Sequence, residues 1–151
     1  MLVYLGSDHG GFAHKQLLLT ELPAEGVSAT DCGTYSAEST DYPDFALAVA
    51  KAVVDHPGSM GILLCRSGEG MDMAANKVAG IRAALVWRTD VAVETRRDND
   101  ANVLVLPSDF ITDQESLSIC RAFLATPFSN EERHVRRIEK IQNIEKRNYA
   151  S

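Results

Sequence analysis

Cys65 ends the apolar run MGILLC at residues 60–65 and is followed by the loop RSGEG at residues 66–70. A thiol at this place could be redox-active, a metal ligand, a nucleophile, a general base or a packing residue. Gly68 and Gly70 permit positive φ angles, and successive N–H groups between a strand and a helix can bind an anion. The pattern therefore predicts an anion-binding turn beside a thiol whose pKa the helix N-terminus and Arg66 would lower.

The positions of the other cysteines narrow the role of that thiol. Cys32, Cys65 and Cys120 are far apart and odd in number, and no CxxC pair or Cys/His cluster has zinc-ligand spacing. The pattern disfavours a disulfide framework and a metal site, and it fits a reducing compartment. A cysteine-dependent phosphatase needs C-x5-R, but the sixth residue after the thiol is Met71. A nucleophile, a general base and a structural thiol remain, and the attached loop favours a functional role.

Two further groups of polar residues could bind a phosphorylated or hydroxylated ligand. Asp8 and His9 follow the first apolar run, where they could bind sugar hydroxyls or phosphate. Taken alone, however, the pair is more typical of a helix cap and a surface histidine. Arg133 and Arg137 are spaced i, i+4 and would share one helical face, which suits a phosphate. An ion-paired surface helix is the alternative explanation for that segment.

The chain alternates short apolar runs with helix-like segments. Five strands are predicted, at residues 2–6, 27–33, 60–65, 81–87 and 103–107. Six helices are predicted. The first is capped by Ser7 or Asp8 and runs to about residue 25, and the last, at about 130–148, is capped by Ser129 or Asn130. The four between them lie at about 44–55, 70–77, 90–98 and 113–125. Such alternation indicates a parallel sheet covered on both faces, with ligands bound outside the carboxyl ends of the strands.

Bulk properties limit the class of protein. The 151 residues contain no linker or internal repeat and predict one domain, 1–151. The net charge of −6 argues against nucleic acid as a partner. No apolar run approaches the about 18 residues of a membrane span, and the N-terminus lacks the features of a secretory signal. We therefore expect a cytoplasmic protein without a membrane partner. The absence of GxGxxG gives no indication of a dinucleotide cofactor.

Five stretches together carry a family resemblance. They are GSDHGGF at 6–12, DCGTYSAESTDYPDFA at 31–46, GILLCRSGEGMDMAANKVAGIRAAL at 61–85, DNDANVLVL at 98–106 and ERHVRRIEKI at 132–141. In this order they resemble the family of type B ribose-5-phosphate isomerases and galactose-6-phosphate isomerases, over nearly the whole chain. The AANKVAGIRAAL run with its upstream cysteine and glycine loop is the most specific of them.

This resemblance implies a fold, an assembly and a reaction. The fold is a three-layer α/β/α Rossmann-like sandwich with a five-stranded parallel sheet of strand order 2-1-3-5-4. The assembly is a homodimer, often paired into tetramers, with the C-terminal helix (about 130–148) packed on the partner subunit. The active sites lie at the dimer interface and use no metal or cofactor. The reaction is aldose–ketose interconversion of a sugar phosphate through a cis-enediolate, most directly ribose 5-phosphate and ribulose 5-phosphate, a step of the pentose phosphate pathway.

The resemblance also implies roles for individual residues. Isomerisation needs a base that moves a proton between two carbons and a polarising site for the oxyanion. Cys65 matches the family's base, with Glu69 as the second candidate, and the Ser67 hydroxyl matches a group that assists proton movement. The remaining matches are the anion-binding loop Ser67, Gly68, Glu69 and Gly70, the sugar contacts Asp8, Tyr42 and Asn99, and the phosphate contacts His9 with Arg133 and Arg137 of the partner subunit.

Two positions depart from the family pattern. Asp98 stands where relatives usually have the histidine that opens the furanose ring, and a carboxylate is a weaker base near neutrality unless its pKa is raised. Asp109 stands where an arginine often binds the phosphate. Arg66, commonly glycine in relatives, could supply that charge, activate Cys65, or pair with Asp98 or Asp109. These departures leave two alternatives open: the same reaction on another pentose, tetrose or hexose phosphate, and a non-catalytic subunit that binds a sugar phosphate.

Overall fold

The structure is a computed structural model that describes residues 1–148. Its strands are β1 (Leu2–Ser7), β2 (Ser28–Asp31), β3 (Met60–Cys65), β4 (Ala83–Leu85) and β5 (Val103–Pro107). Its α-helices are α1 (Phe12–Glu21), α2 (Tyr42–Asp55), α3 (Glu69–Ala75), α4 (Thr89–Asn99), α5 (Asp113–Ala125) and α6 (Glu132–Asn148), and a 3₁₀ turn covers Leu22–Glu25.

The five strands form one parallel sheet in the order β2-β1-β3-β5-β4. The central strand β3 pairs with β1 on one side and β5 on the other, so that Leu64 lies opposite Ser7 and Leu106. The predicted α/β class and the predicted strand order are confirmed. The last residue of β3, Cys65, therefore lies at the middle of the carboxyl edge of the sheet.

Helices cover both faces of the sheet and make two apolar cores. Side chains of successive β3 residues point to opposite faces, as in any strand. Ile62 and Leu64 pack in the core beneath α1, α4 and α5, whereas Leu63 and Cys65 pack in the core beneath α2 and α3. The continuous apolar sequence of β3 reflects this burial on both faces. The Cys65 side chain consequently lies on the face of the sheet that α2 and α3 cover.

The predicted starts of α1 and α2 differ from the structure. Helix α1 begins at Phe12, because Ser7 still belongs to β1 and Asp8 closes a turn before the helix. The Asp8 Oδ1 atom accepts from the amides of Gly10 at 2.8 Å and Gly11 at 3.2 Å. Helix α2 begins at Tyr42, two residues earlier than predicted. Its second residue is Pro43, which the helix tolerates because an N–H group in the first turn has no intrahelical partner.

None of the helices in residues 1–148 combines the length and apolarity that crossing a membrane would require.

Gly11 is the point of closest approach between α1 and β3. A β-carbon at this position would lie 2.5 Å from the carbonyl oxygen of Leu64, which is fixed in the sheet. We therefore expect Gly11→Ala to lower the free energy of unfolding by about 1–3 kcal/mol, because backbone atoms must move to relieve the overlap. Urea denaturation measures the change. Gln16→Ala, at an exposed position of the same helix, is the control and should change it by less than about 0.5 kcal/mol; equal effects would contradict the prediction.

Candidate active site

Three loops meet at the carboxyl edge of the sheet around the end of β3. The Asp8 amide donates to the Leu64 carbonyl at 3.3 Å, so the loop after β1 lies against β3. The Ser108 amide donates to the Cys65 carbonyl at 2.9 Å, and the Asp109 amide to the Arg66 carbonyl at 2.9 Å. The loops after β1, β3 and β5 therefore form one surface, as the parallel sheet predicts.

Cys65 is buried at the start of a tight turn into α3. Gly68 has a φ of 81°, in the left-handed region that favours glycine, and it directly precedes Glu69, the first residue of α3. Its amide donates to the Cys65 Sγ atom at 3.2 Å. The turn thus directs main-chain N–H groups towards the thiol.

Burial raises the pKa of the Cys65 thiol above its ordinary value. The main-chain amides of Met71, Gly68 and Ser67 act against that shift, and the Asp8 carboxylate adds to it. Desolvation disfavours the thiolate more than the donors of the turn favour it. The prediction that this thiol has a lowered pKa is therefore wrong: at neutral pH the free protein holds it as the neutral thiol.

The Arg66 guanidinium pairs with Asp109. Its Nη1 atom lies 3.3 Å from the Asp109 Oδ2 atom, and both side chains are exposed. Its stem lies against Gly10, where a β-carbon would come within 2.5 Å of the Arg66 Cγ atom. Of the alternatives considered for Arg66, the structure shows the pair with Asp109.

His9 and Tyr42 flank the turn from the α1 and α2 sides. The Thr40 amide donates to the His9 Nδ1 atom at 3.2 Å, so the neutral imidazole carries its proton on Nε2, where it can donate to a ligand. The Tyr42 ring packs on the backbone of Gly70, where a β-carbon would meet ring atoms at 2.7–3.0 Å. Gly70 is thus required for the close approach of this ring.

We call the residues at this edge the carboxyl-edge cluster: Asp8, His9, Tyr42, Cys65, Arg66, Ser67, Gly68, Glu69 and Gly70. Next to it, a cavity of about 400 Å³ is lined by Ser67 and Glu69 together with Leu85, Trp87, Pro107 and Phe110. Glu69 is exposed. Within residues 1–148, no three His, Cys, Asp or Glu side chains are grouped so as to hold a metal ion.

Three residues near this cavity have no role predicted from the sequence. Trp87 and Phe110 line it although both are more than half exposed, at 53% and 74%. Large exposed aromatic residues directly after β4 and β5 are a signal that could have marked them. Asp72, in the first turn of α3, has its pKa raised by burial, against hydrogen bonds from Leu85 and Asn76. Its burial could not be seen from spacing alone.

The other predicted site residues lie at the opposite edge of the sheet. Helix α4 returns from the end of β4 towards the start of β5, and its eleven residues span about 16 Å. At its end, the Asn99 carbonyl accepts from the Nε atom of Arg82, a residue that precedes β4. We call the residues here the amino-edge cluster: Asp98, Asn99, Arg133 and Arg137. One chain therefore does not bring all predicted site residues together.

Contacts between the end of α4 and the start of α6 hold the amino-edge cluster together. The Ser129 amide donates to the Arg97 carbonyl at 3.0 Å, and the His134 Nε2 atom lies 3.9 Å from the Asp98 Oδ1 atom. Helix α6 begins at Glu132, two residues later than predicted, so neither Ser129 nor Asn130 caps it; the Ser129 Oγ atom instead accepts from the Glu131 amide at 3.2 Å, in the turn before the helix. Arg133 is thereby placed near Asp98, and Arg137 follows one turn later on α6.

Asp98 is a carboxylate stabilised by positive charge. A hydrogen bond from Arg97 lowers its pKa, and the charges of Arg97, His134 and Arg133 act in the same direction. A general base that works near neutral pH needs a shift in the opposite direction. Arg133 pairs with Glu131 at 2.9 Å, and both Arg133 and Arg137 are exposed.

The fold and the carboxyl-edge cluster together define a parallel α/β protein with a buried thiol in a glycine turn, beside a cavity of about 400 Å³. The family model described as Ribose/Galactose Isomerase matches residues 3–141. Ribose-5-phosphate isomerase B of Mycolicibacterium paratuberculosis is 42% identical over 151 residues, which cover 99% of this chain and 95% of that protein.

Solved structures give the same result. Ribose-5-phosphate isomerase B of Clostridium thermocellum superposes with a TM-score of 0.93 at 40% identity, covering 98% of this chain and 99% of that one. The Mycoplasma genitalium ribose-5-phosphate isomerase B with bound ribulose 5-phosphate gives a TM-score of 0.92 at 41% identity, covering 96% of both chains. The chain belongs to the Ribose/Galactose Isomerase family, whose members are aldose–ketose isomerases, and the resemblance seen in the sequence is confirmed.

The raised pKa of Cys65 can be measured by its reactivity. Because only the thiolate reacts, alkylation of Cys65 by iodoacetamide should be slow at pH 7 and should still accelerate as the pH passes about 8.5, the ordinary thiol pKa. Peptide mass spectrometry of the native protein gives the rate for each cysteine. Cys120, whose pKa complete burial also raises, is the internal control and should stay unmodified. A rate for Cys65 that levels off below pH 8 would refute the expectation.

Proposed function

We propose that the protein interconverts ribose 5-phosphate and ribulose 5-phosphate, with Cys65 as the general base. The observation that carries the proposal is the convergence of main-chain donors on the Cys65 thiol beside a cavity lined by Ser67 and Glu69. Membership of the isomerase family supports the reaction type, and the relatives named as ribose-5-phosphate isomerases support the substrate. We place the reaction in the cytoplasm and in the pentose phosphate pathway, and we treat residues 1–151 as one isomerase domain.

In the proposed mechanism, the thiolate of Cys65 removes the proton from C2 of the open-chain aldose. The electron pair of that C–H bond forms the C1–C2 double bond of a cis-enediolate, and negative charge moves to the carbonyl oxygen. The thiol then returns the proton to C1, while the Ser67 hydroxyl assists proton transfer between the two oxygens. The carbonyl moves from C1 to C2 without an external oxidant or reductant.

The loop amides divide between two tasks in this mechanism. Those of Ser67, Gly68 and Met71 interact with the thiol in the free protein, so they favour the thiolate when it forms. Those of Glu69 and Gly70 remain for the oxyanion, at the start of α3. Because burial raises the pKa of the thiol, a smaller fraction is ionised at pH 7, but each thiolate is a stronger base.

A second copy of the chain completes the site in this proposal. The amino-edge cluster cannot reach Cys65 of its own chain, because the two clusters lie at opposite edges of one sheet. A twofold axis that sets two chains antiparallel would bring the amino edge of each to the carboxyl edge of the other. Arg133 and Arg137 would then bind the phosphate together with His9, while Asn99 contacts the sugar. Ile141 and Ile144, exposed on α6, would be covered by the partner.

Asp98 favours a second candidate substrate. The lowered pKa of Asp98 suits a fixed charge better than the base that ring opening requires. A tetrose 4-phosphate cannot close a furanose ring through its phosphorylated oxygen and therefore needs no ring opening. The Arg66–Asp109 pair likewise gives the edge beside the cavity a charge that differs from the family pattern. The Arg66 guanidinium would bind a phosphate if it were released from Asp109. Isomerisation of another sugar phosphate by the same residues is thus the alternative.

The assay that tests the proposal compares wild type with Cys65→Ser on ribose 5-phosphate, a tetrose, a second pentose and a hexose phosphate. We expect wild type to turn over ribose 5-phosphate and Cys65→Ser to lose at least about a hundredfold in kcat, because proton transfer by a positioned base contributes that much or more. Glu69→Gln is the matched control and should retain activity.

The other outcomes of that assay discriminate between the alternatives. Turnover of another sugar, without turnover of ribose 5-phosphate, selects the second candidate. Full activity of Cys65→Ser together with inactive Glu69→Gln moves the base to Glu69. No turnover of any of the sugars by a folded wild-type dimer leaves the non-catalytic binding subunit.

Complementation tests whether two chains share one site. Cys65→Ser and Arg137→Ala should each be inactive, but their mixture, unfolded and refolded together, should regain about one quarter of wild-type activity, because about half of the dimers are mixed and each has one intact site. Size-exclusion chromatography verifies that dimers form. An inactive mixture of two inactive variants would show that Cys65 and Arg137 act within one chain, whereas full activity of Arg137→Ala alone would show that Arg137 has no role.

A further inference from the structure

Lys15 is a charged side chain that is completely buried and has no part in the mechanism above. It lies in the first turns of α1, where its ammonium group pairs with the carboxylate of Asp31 at the end of β2. The same ammonium donates to the Thr34 carbonyl at 2.7 Å and lies 5.5 Å from the centre of the Tyr35 ring. Removing an ammonium from water is costly unless it is paired and hydrogen-bonded, and an apolar side chain would fill the same space without that cost.

The contacts of Lys15 fix a segment that we call the strap, residues 32–41, which joins β2 to α2 without helix or strand. The Asp31 Oδ1 atom accepts from the Gly33 amide at 2.9 Å, while Lys15 holds the next carbonyl, that of Thr34. The ion pair therefore restrains two consecutive residues at the beginning of the strap.

The strap in turn contacts both residues that flank Asp8. The Ser7 amide donates to the Gly33 carbonyl at 2.7 Å, and the Thr34 amide donates to the Ser7 carbonyl at 2.7 Å. At its other end, the Thr40 amide donates to the imidazole of His9. The strap then leads directly into Tyr42, the first residue of α2.

From this chain of contacts we infer that Lys15 is a positioning residue: through Asp31 and the strap it sets the places of Asp8, His9 and Tyr42. The inference rests on the proposed function for the identity of the ligand. Lys15 itself is sealed from the site and does not touch the substrate. The Cys65 turn also has main-chain hydrogen bonds to the loop after β5, in which the strap takes no part, so loss of Lys15 should weaken substrate binding more than it slows the chemical step.

The experiment uses the full-length double variant Lys15→Met/Asp31→Asn, which removes both charges together and leaves neither buried without a partner. The asparagine side chain would keep an oxygen that accepts from the Gly33 amide. We expect KM for the sugar phosphate to rise about tenfold or more through misplacement of the binding groups, with kcat changed by less than about threefold. Hydrogen exchange should accelerate at the amides of Thr34 and Thr40 and stay unchanged in β3 and β5.

Arg121→Gln is the matched control, because it breaks the ion pair between α5 and Glu25, in the 3₁₀ turn that follows α1, and should change neither KM nor exchange in the strap. Lys15→Met alone covers the case in which the double variant does not fold, because the remaining Asp31 side chain is 26% exposed and keeps its hydrogen bond from the Gly33 amide; the same two changes are expected.

Unchanged KM together with unchanged hydrogen exchange in the strap overturns the inference. An equal acceleration of exchange in the strap and in β3 also overturns it, because that result indicates a purely structural residue. If wild type turns over no sugar phosphate, the proposed function fails while the exchange at Thr34 and Thr40 still decides whether Lys15 holds the strap.

Discussion

Main-chain hydrogen bonds at the end of β3 fix the position of the thiol. The Leu64 carbonyl accepts from the loop after β1, and the Cys65 carbonyl accepts from the loop after β5. The first approach is possible only because Gly11 has no side chain, since a β-carbon there would overlap the Leu64 carbonyl. The relation between the thiol and its two neighbouring loops therefore depends on the backbone and not on the rotamers of exposed side chains.

The same enclosure governs the chemistry of Cys65. Loops packed on both sides remove the thiol from water, and burial then outweighs the main-chain donors in setting its pKa. Less thiolate is present at neutral pH, whereas each thiolate is more basic. For proton transfer from carbon these two effects oppose one another. In the proposed dimer, Arg133 and Arg137 of the partner subunit would bring positive charge towards the thiol and so lower its pKa.

The sequence predicted the sheet well because continuous apolar strands and helix periodicity are local signals. Each predicted strand is present and the strand order is as predicted, the order through the family resemblance, but β2 and β4 are shorter than predicted. Helix α1 starts late because Asp8 caps a turn and not the helix itself, a distinction that residue types do not make. The direction of the Cys65 pKa was predicted wrongly for a different reason: helix N-terminus and arginine are visible in the sequence, but the depth of burial depends on the packing of distant loops.

The division of the site residues into two clusters is also invisible in a linear sequence. It follows from the path of α4, which carries Asp98 and Asn99 to the edge of the sheet opposite Cys65. Lys15 shows the same limit, since only the folded chain reveals that this lysine is buried against Asp31 and is not an exposed residue of an amphipathic helix.

Charge explains why these two clusters belong together. At the carboxyl edge, the guanidinium of Arg66 is paired with Asp109, while Asp8 and Glu69 add negative charge, so this edge alone would repel a phosphate dianion. At the amino edge, Arg133 and Arg137 are exposed on α6, and Arg133 adds positive charge at Asp98. Neither edge has both the proposed base and the proposed phosphate-binding charge. In the proposed antiparallel dimer the two clusters would meet at each site, and the positive charge of α6 would lie where the substrate phosphate needs it and where a thiolate gains from it.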